Sequence, residues 1–228
     1  MSMPLDISES DQAILARIAP YTMTSVERQS ALIEAVRYLI RRRVPGCIVE
    51  CGVWRGGSAM AAMLALLNAG ISDRNIYLYD TFEGMTPPTE ADKTFDGIAA
   101  STHLQHDAHR TGHYWCVAGI EDVRNNVFST GYPGDRIQLV QGPVEETLPA
   151  QSPSDDIALL RLDTDWYQST KHELIHLFPK LSPGGVLIVD DYGHWQGAKQ
   201  AVDEYFAGLA ETYYTHRIDY TGRLIIKA

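Results

Sequence analysis

Cysteine is scarce in this 228-residue sequence: Cys47, Cys51 and Cys116 are the only three. An odd number at these spacings builds neither a disulfide framework nor a tetrahedral metal site, so a reduced, cytoplasmic protein is expected. Long hydrophobic runs are also missing. The longest apolar stretches have the length of core strands and helices, well short of the ~20 residues that cross a bilayer. Met1-Ser2-Met3-Pro4-Leu5-Asp6 has no basic region followed by an apolar one, and no secretory signal is expected. Positive charge is in deficit, with 19 Lys and Arg against 29 Asp and Glu and a formal net charge of −10. That balance argues against nucleic acid and against an anionic membrane surface as partners. Arg41-Arg42-Arg43 is the one basic cluster, and it ends a predicted helix, where cations complement the dipole.

What is present reads as one α/β domain. A chain of this length can bury a single core, here with an N-terminal helical arm over 1–45, a main body over 46–228 and an insertion at about 82–115. Residues 8–18 predict a short helix. Thr24 or Ser25 caps a second, in which Leu32, Ile33, Val36, Leu39 and Ile40 repeat at helical spacing until Pro45-Gly46. Strands are then predicted over 47–51, 76–80, 137–140, 157–163 and 186–191, with helices over 58–68, 120–129, 169–180 and 198–209 and a short one from Val144. Alternating helices and near-continuous apolar strands indicate a parallel sheet covered on both faces, a Rossmann-like arrangement. Segments 213–218 and 223–227, separated by Asp219-Tyr220-Thr221-Gly222, predict a hairpin that adds antiparallel strands at the end of a seven-stranded sheet.

The first strand breaks into Glu50-Cys51-Gly52-Val53-Trp54-Arg55-Gly56-Gly57-Ser58, with an Ala- and Met-rich helix directly after it. An acid at a strand end followed by glycines is what a ligand site at the edge of such a sheet requires. A carboxylate facing that turn would repel a pyrophosphate. Glu50 suits a cationic amine instead, such as the amino-acid end of S-adenosylmethionine (SAM). The spacing Gly52-x-x-x-Gly56-Gly57 also departs from the Gly-x-Gly-x-x-Gly turn that a dinucleotide oxidoreductase, the main alternative, would need. Asp80 closes the second strand, where it either grips ribose hydroxyls or caps the following turn.

Two further strands end in acid: Asp163, with Asp165 close behind, and the pair Asp190-Asp191. If these strands are neighbours the carboxylates converge, and like charges resist burial by several kcal/mol per ion unless a cation sits among them. Oxygen ligands without cysteine indicate magnesium, which can hold a hydroxyl, lower its pKa and position it. Three capping aspartates are the plainer reading, and the less favoured one. In the 82–115 insertion, His103, His106, His109 and His113 invite a metal site. Their spacing also fits an exposed helix, and a solvated lid is the favoured reading.

These motifs, together with Tyr79-Asp80-Thr81-Phe82-Glu83-Gly84-Met85, Trp115-Cys116, Gly131-Tyr132-Pro133, Arg161-Leu162-Asp163-Thr164-Asp165-Trp166-Tyr167 and Val189-Asp190-Asp191-Tyr192-Gly193, give a chain that resembles the macrocin O-methyltransferase family from Tyr21 to the C-terminus. The family's members methylate sugar hydroxyls of macrolide and aminocoumarin natural products. The resemblance implies a class I methyltransferase fold and a small-molecule glycoside acceptor. It implies that Glu50, Gly52 and Ser58 hold the methionine part of SAM and that Asp80 and Thr81 hold its ribose. Thr22 and Met23 would close over the cofactor, and Gly142 to Val144 would line the adenine pocket. It further implies Asp163, Asp190 and Asp191 as magnesium ligands, Asp163 also as general base and His194 as a second base. A SAM-binding module without activity is a further alternative, and a homodimer is the default assembly.

Overall fold

The computed structural model describes residues 5–105 and 113–228. Two capped helices lead in. Ser8 accepts from the Asp11 N–H at the start of α1 (Glu9–Ile18), and Ser25 accepts from the Arg28 N–H at the start of α2 (Val26–Arg42). The sheet strands are β1 (Cys47–Cys51), β2 (Ile76–Asp80), β3 (Ile137–Gln141), β4 (Ile157–Leu162), β5 (Leu181–Val189), β6 (Thr215–Arg217) and β7 (Arg223–Ile226). Between them run α3 (Gly57–Asn68), α4 (Ala100–Gln105), α5 (Ile120–Phe128), α6 (Val144–Thr147), α7 (Tyr167–Leu177) and α8 (Gln196–Ala207).

The seven strands lie in the order β3-β2-β1-β4-β5-β7-β6, parallel except that β7 runs antiparallel to both β5 and β6. The order reverses at β1, which pairs with β2 on one side and β4 on the other. Because β1 to β5 are parallel, their carboxyl ends share one edge of the sheet, and ligands bind there at the reversal. Alternation along each strand feeds two cores. Ile48, Leu78, Leu159 and Ile188 face α1, α2, α3 and α5, whereas Val49, Tyr79, Leu160 and Val189 face α6, α7 and α8. Cys47 and Cys51 fall together in the second core as free, buried side chains. α3 is buried from Gly57 to Leu66, as an all-apolar helix must be, and α1 and α2 pack against it. No described helix is long and apolar enough to cross a membrane.

Two elements depart from the sequence-based reading. β5 begins at Leu181, so Ser182-Pro183-Gly184-Gly185 lies within a strand. The register against β4 slips between Ile157 and Leu159 and absorbs those residues as a bulge, with Gly184 at φ +76°. The expected solvated lid, exposed along much of its described length, is anchored at buried points. Asp92 is fully buried, its carboxylate accepts the N–H groups of Thr89 and Tyr167, and Thr94 and Ala100 are buried as well. Gly197 makes this possible, because a Cβ there would overlap Asp92 Oδ1. His103 stacks on Tyr114. His106 and His109 lie outside the described residues, and His113 opens a short 3-10 helix ending at Trp115.

Candidate active site

A cavity of about 380 Å³ opens at the carboxyl edge of β1 to β5, within the size range of small-molecule sites. The residues to which the resemblance gives a site role all line it: Thr22, Met23, Glu50, Gly52, Ser58, Asp80, Thr81, Gly142, Val144, Asp163, Asp190, Asp191 and His194, whereas His103 does not. Segments as far apart as the arm and the C-terminal hairpin therefore meet on one cleft.

One half is built on the β1 turn. Gly52 sits at φ +81°, and a Cβ there would overlap the Asp163 carbonyl oxygen, so only glycine serves both the turn and the approach of β4. Asp80 holds the turn from below. Its Oδ2 accepts the N–H groups of Val53 (2.6 Å) and Trp54 (3.1 Å), and its Oδ1 accepts that of Phe82 (2.8 Å). Burial raises the Asp80 pKa against the pull of those three donors. The capping geometry is thus present, and the same carboxylate lines the cleft. Thr81 donates to Gly84 O at 2.6 Å and fixes the next turn. Gly142 donates to Asp80 O at 2.9 Å and carries the chain into Val144 at the cleft's far wall.

The arm closes this half through a residue that the sequence reading passed over. Gln29 is buried on α2, and its amide donates to Thr22 Oγ1 (3.0 Å), to Thr24 and to Ser58 Oγ (3.1 Å). It ties the Thr22–Thr24 loop to the first turn of α3, where the absent side chain of Gly57 admits the backbone of Tyr21. Met23, 43% exposed, sits at the rim.

The other half is acidic. Oxygen atoms of Asp163, Asp165 and Asp191 lie within 4.8 Å of one another. Burial pushes the Asp163 and Asp191 pKa values well above the carboxylate range, with neighbouring carboxylates adding to the effect, and Asp165 rises to about 7. Asp165 has φ +67°, accepts from Trp195 Nε1 at 3.0 Å and shares a hydrogen bond with Asp191. Trp54, Phe82 and Cys116 are also non-glycine residues at positive φ, and Trp54, Cys116 and Asp165 all line the cleft, where such backbone strain tends to gather. His194 lies beside Trp195 with Nδ1 3.4 Å from the Tyr220 hydroxyl, and burial lowers its pKa, leaving a neutral imidazole.

Arg161, within the apolar run of β4, joins the halves. Nη1 donates to Glu50 Oε1 and to Asp163 Oδ2, each at 2.7 Å, and Nη2 donates to Asp190 Oδ1 at 2.6 Å. Arg161, Glu50 and Asp190 have side chains 5% exposed or less, so these are interior ion pairs. Glu50, expected to face a ligand's ammonium directly, is thus already paired with a fixed guanidinium. Burial still holds its pKa near 7. Asp190 differs from its expected place among the clustered carboxylates: Oδ1 is on Arg161 and Oδ2 is on Arg28. Arg28 also reaches Asp219 Oδ2 at 3.0 Å, linking α2 to the hairpin turn. A lone charge in a strand otherwise apolar from Ile157 to Leu162 was the available signal for Arg161, since a buried charge requires partners. Arg28 carried no comparable mark.

A model of the macrocin O-methyltransferase family matches residues 9–225. The demethyldecarbamoylnovobiocin O-methyltransferase of Streptomyces niveus is 35% identical over 187 residues, covering 82% of this chain and 68% of that protein. The 8-demethyl-8-(2,3-dimethoxy-alpha-L-rhamnosyl)-tetracenomycin-C 4'-O-methyltransferase of Streptomyces olivaceus is 34% identical over 219 residues, 94% of this chain and 79% of its own. Among solved structures, the O-methyltransferase NovP is 33% identical with a TM-score of 0.77, over 91% of this chain and 82% of that one.

Proposed function

The chain belongs to the macrocin O-methyltransferase family of SAM-dependent enzymes, and we propose that it methylates a sugar hydroxyl of a glycosylated secondary metabolite with the help of magnesium. The observation that carries this reading is the division of one cleft into a glycine turn walled by the arm and, opposite it, a cluster of carboxylates. The second named relative supports the acceptor class, since by its name it acts on a rhamnosyl-bearing tetracenomycin.

SAM would lie against Gly52, Ser58 and the Thr22–Met23 loop, with Asp80 and Thr81 at its ribose and Gly142 to Val144 at its adenine. Arg161 keeps Glu50 oriented while leaving the pair able to favour an ammonium group. The carboxylate cluster fits a hard divalent cation, which is commonly bound by one or two carboxylates and completes its shell with water and substrate oxygen. Asp163 and Asp191 would hold it, with Asp190, now paired to Arg28 and Arg161, as the further candidate ligand. SAM supplies a methyl group on a sulfonium, and magnesium supplies Lewis acidity toward the acceptor hydroxyl.

Asp165 is the side chain we assign to receive the hydroxyl proton, in place of Asp163. It lies within the acidic cluster, oriented by the indole N–H of Trp195 and by its hydrogen bond with Asp191. Asp163 is instead engaged by the Arg161 guanidinium. His194, neutral by burial, lines the acceptor side. Thr22 to Thr24 of the arm and Gly84 to Thr86 and Tyr114 of the insertion line the cleft and would border the bound substrates. The assembly we propose is a homodimer in the cytoplasm, to be checked by light scattering and fractionation.

The test combines binding and turnover. SAM should raise the melting temperature and NAD should not. A mass gain of one methyl group on a glycoside should require magnesium and be lost on chelation and in Asp163→Asn, while that variant keeps the SAM response. Turnover indifferent to chelation would remove the metal from the proposal, and stabilisation by NAD alone would overturn the donor.

A further inference from the structure

Resting on the reading of the carboxylate cluster as a cation site, we propose that Glu173 is a positioning residue for it. By taking up the hydroxyl of Thr164, Glu173 leaves the carboxylates of Asp163 and Asp165 to the cation and to the acceptor's proton. Thr164 lies between those two aspartates in the link from β4 to α7, and Glu173 stands on α7. Thr164 lines the cleft, whereas Glu173 does not.

An acid in this place needs a reason. Glu173 is wholly buried. Among the described residues, its Oε1 accepts from Thr164 Oγ1 at 2.9 Å and its Oε2 has no partner. The charged groups that act on it, Glu145, Asp191 and Asp163, are all acids, and burial together with their field pushes its pKa well above the carboxylate range. An apolar side chain of similar size would fill the same space without leaving a buried oxygen unpaired, so packing does not account for a carboxyl group here. Its one hydrogen bond does.

That bond settles where a hydroxyl points. A threonine between two aspartates has an acceptor on either side, and hydrogen bonds to ionised carboxylates are the stronger kind. A Thr164 hydroxyl donated to Asp163 or Asp165 would occupy an oxygen that a cation or a proton needs. Glu173 draws the hydroxyl the other way. The rest of Thr164 is fixed on the same helix: its carbonyl accepts the Trp166 N–H at 2.8 Å and the Ser169 hydroxyl at 3.4 Å. Backbone and side chain are thus both tied to α7, and Asp163 and Asp165 flank a residue that is held at every polar atom facing that helix. Groups one step behind metal ligands commonly tune affinity in this way.

The experiment titrates the full chain with Mn2+ in place of magnesium, free Mn2+ being read by its paramagnetic resonance, and measures SAM binding by calorimetry. Glu173→Met and Glu173→Leu release the hydroxyl onto a neighbouring carboxylate. Mn2+ affinity should fall about tenfold in both, with SAM affinity unchanged. Glu173→Gln keeps the acceptor and should bind Mn2+ as the wild type does. The decisive variant combines Glu173→Met with Thr164→Val. No hydroxyl is then left to be captured, so most of the lost affinity should return, whereas a loss caused by packing would persist or deepen. Both partners become apolar with their shapes kept, a change that folded proteins tolerate. Met and Leu variants that bind Mn2+ as tightly as the wild type, a Gln variant as weak as they are expected to be, or no recovery in the double variant overturns the role of Glu173 and leaves the cation site standing. A wild type that binds SAM but no Mn2+ refutes the cation site itself, and this role with it.

Discussion

Replacing Arg161 by methionine tests how the two halves of the cleft are held together. The guanidinium makes three ion pairs inside the protein, and removing one partner of a buried pair costs about 3–5 kcal/mol, because the other is left charged and unpaired. The three losses do not simply add. Asp190 keeps Arg28, and Asp163 is 27% exposed to the cleft and can be solvated there. Glu50, 5% exposed, has no second cation, but with a pKa already near 7 it can take up a proton. The cost should therefore fall near the low end, about 3 kcal/mol. For a chain of this size that lowers the melting temperature by roughly 6–12 °C. Calorimetry of metal-free protein should show the deficit shrinking as the pH falls from 8 to 5, since Glu50 becomes neutral in both proteins. Glu50→Gln combined with Arg161→Met should recover much of the loss, because neither charge is then orphaned. A fall of less than about 2 °C, a deficit that grows toward low pH, or no recovery in the double variant would refute the account of Arg161 as the buried cation on which Glu50 depends.

Two further outcomes follow from the site. Gly52→Ala forces a methyl group onto the Asp163 carbonyl at a backbone angle that alanine resists, and SAM affinity should drop by at least about tenfold in calorimetric titration while the far-ultraviolet spectrum stays helical and sheet-rich. The metal-free protein should also lose stability as the pH rises. Glu50 and Asp165 have folded pKa values near 7 against ordinary values of 4.5 and 3.8, so the folded state binds their protons more tightly; that advantage is full below the ordinary values and is gone once the pH passes about 7. Melting curves from pH 5 to 8 should fall along this window, and magnesium should flatten the fall by favouring the ionised carboxylates.

Much of the architecture was legible because its causes are local. Apolar runs of strand length between helical periods marked β1 to β5, and acids at strand ends marked the edge where ligands bind, since parallel strands must bring those ends together. Glu50, Asp80, Asp163 and Asp191 were found this way. The bulge in β5 was hidden because Pro183-Gly184-Gly185 has the composition of a turn, and only pairing with β4 keeps it in a strand. The insertion read as solvated because its composition is polar, whereas Asp92 is buried by two backbone donors and by a gap left at Gly197.

The sequence by itself therefore determined the sheet, its two covered faces and the set of carboxylates and glycines at its edge, since periodicity and strand-end chemistry need no partner to be recognised. Tertiary structure alone decided how those charges are balanced. Arg161 meets Glu50 across 111 positions, and Arg28 meets Asp190 across 162. A charge in a sequence has many possible partners, and burial together with strand order selects among them.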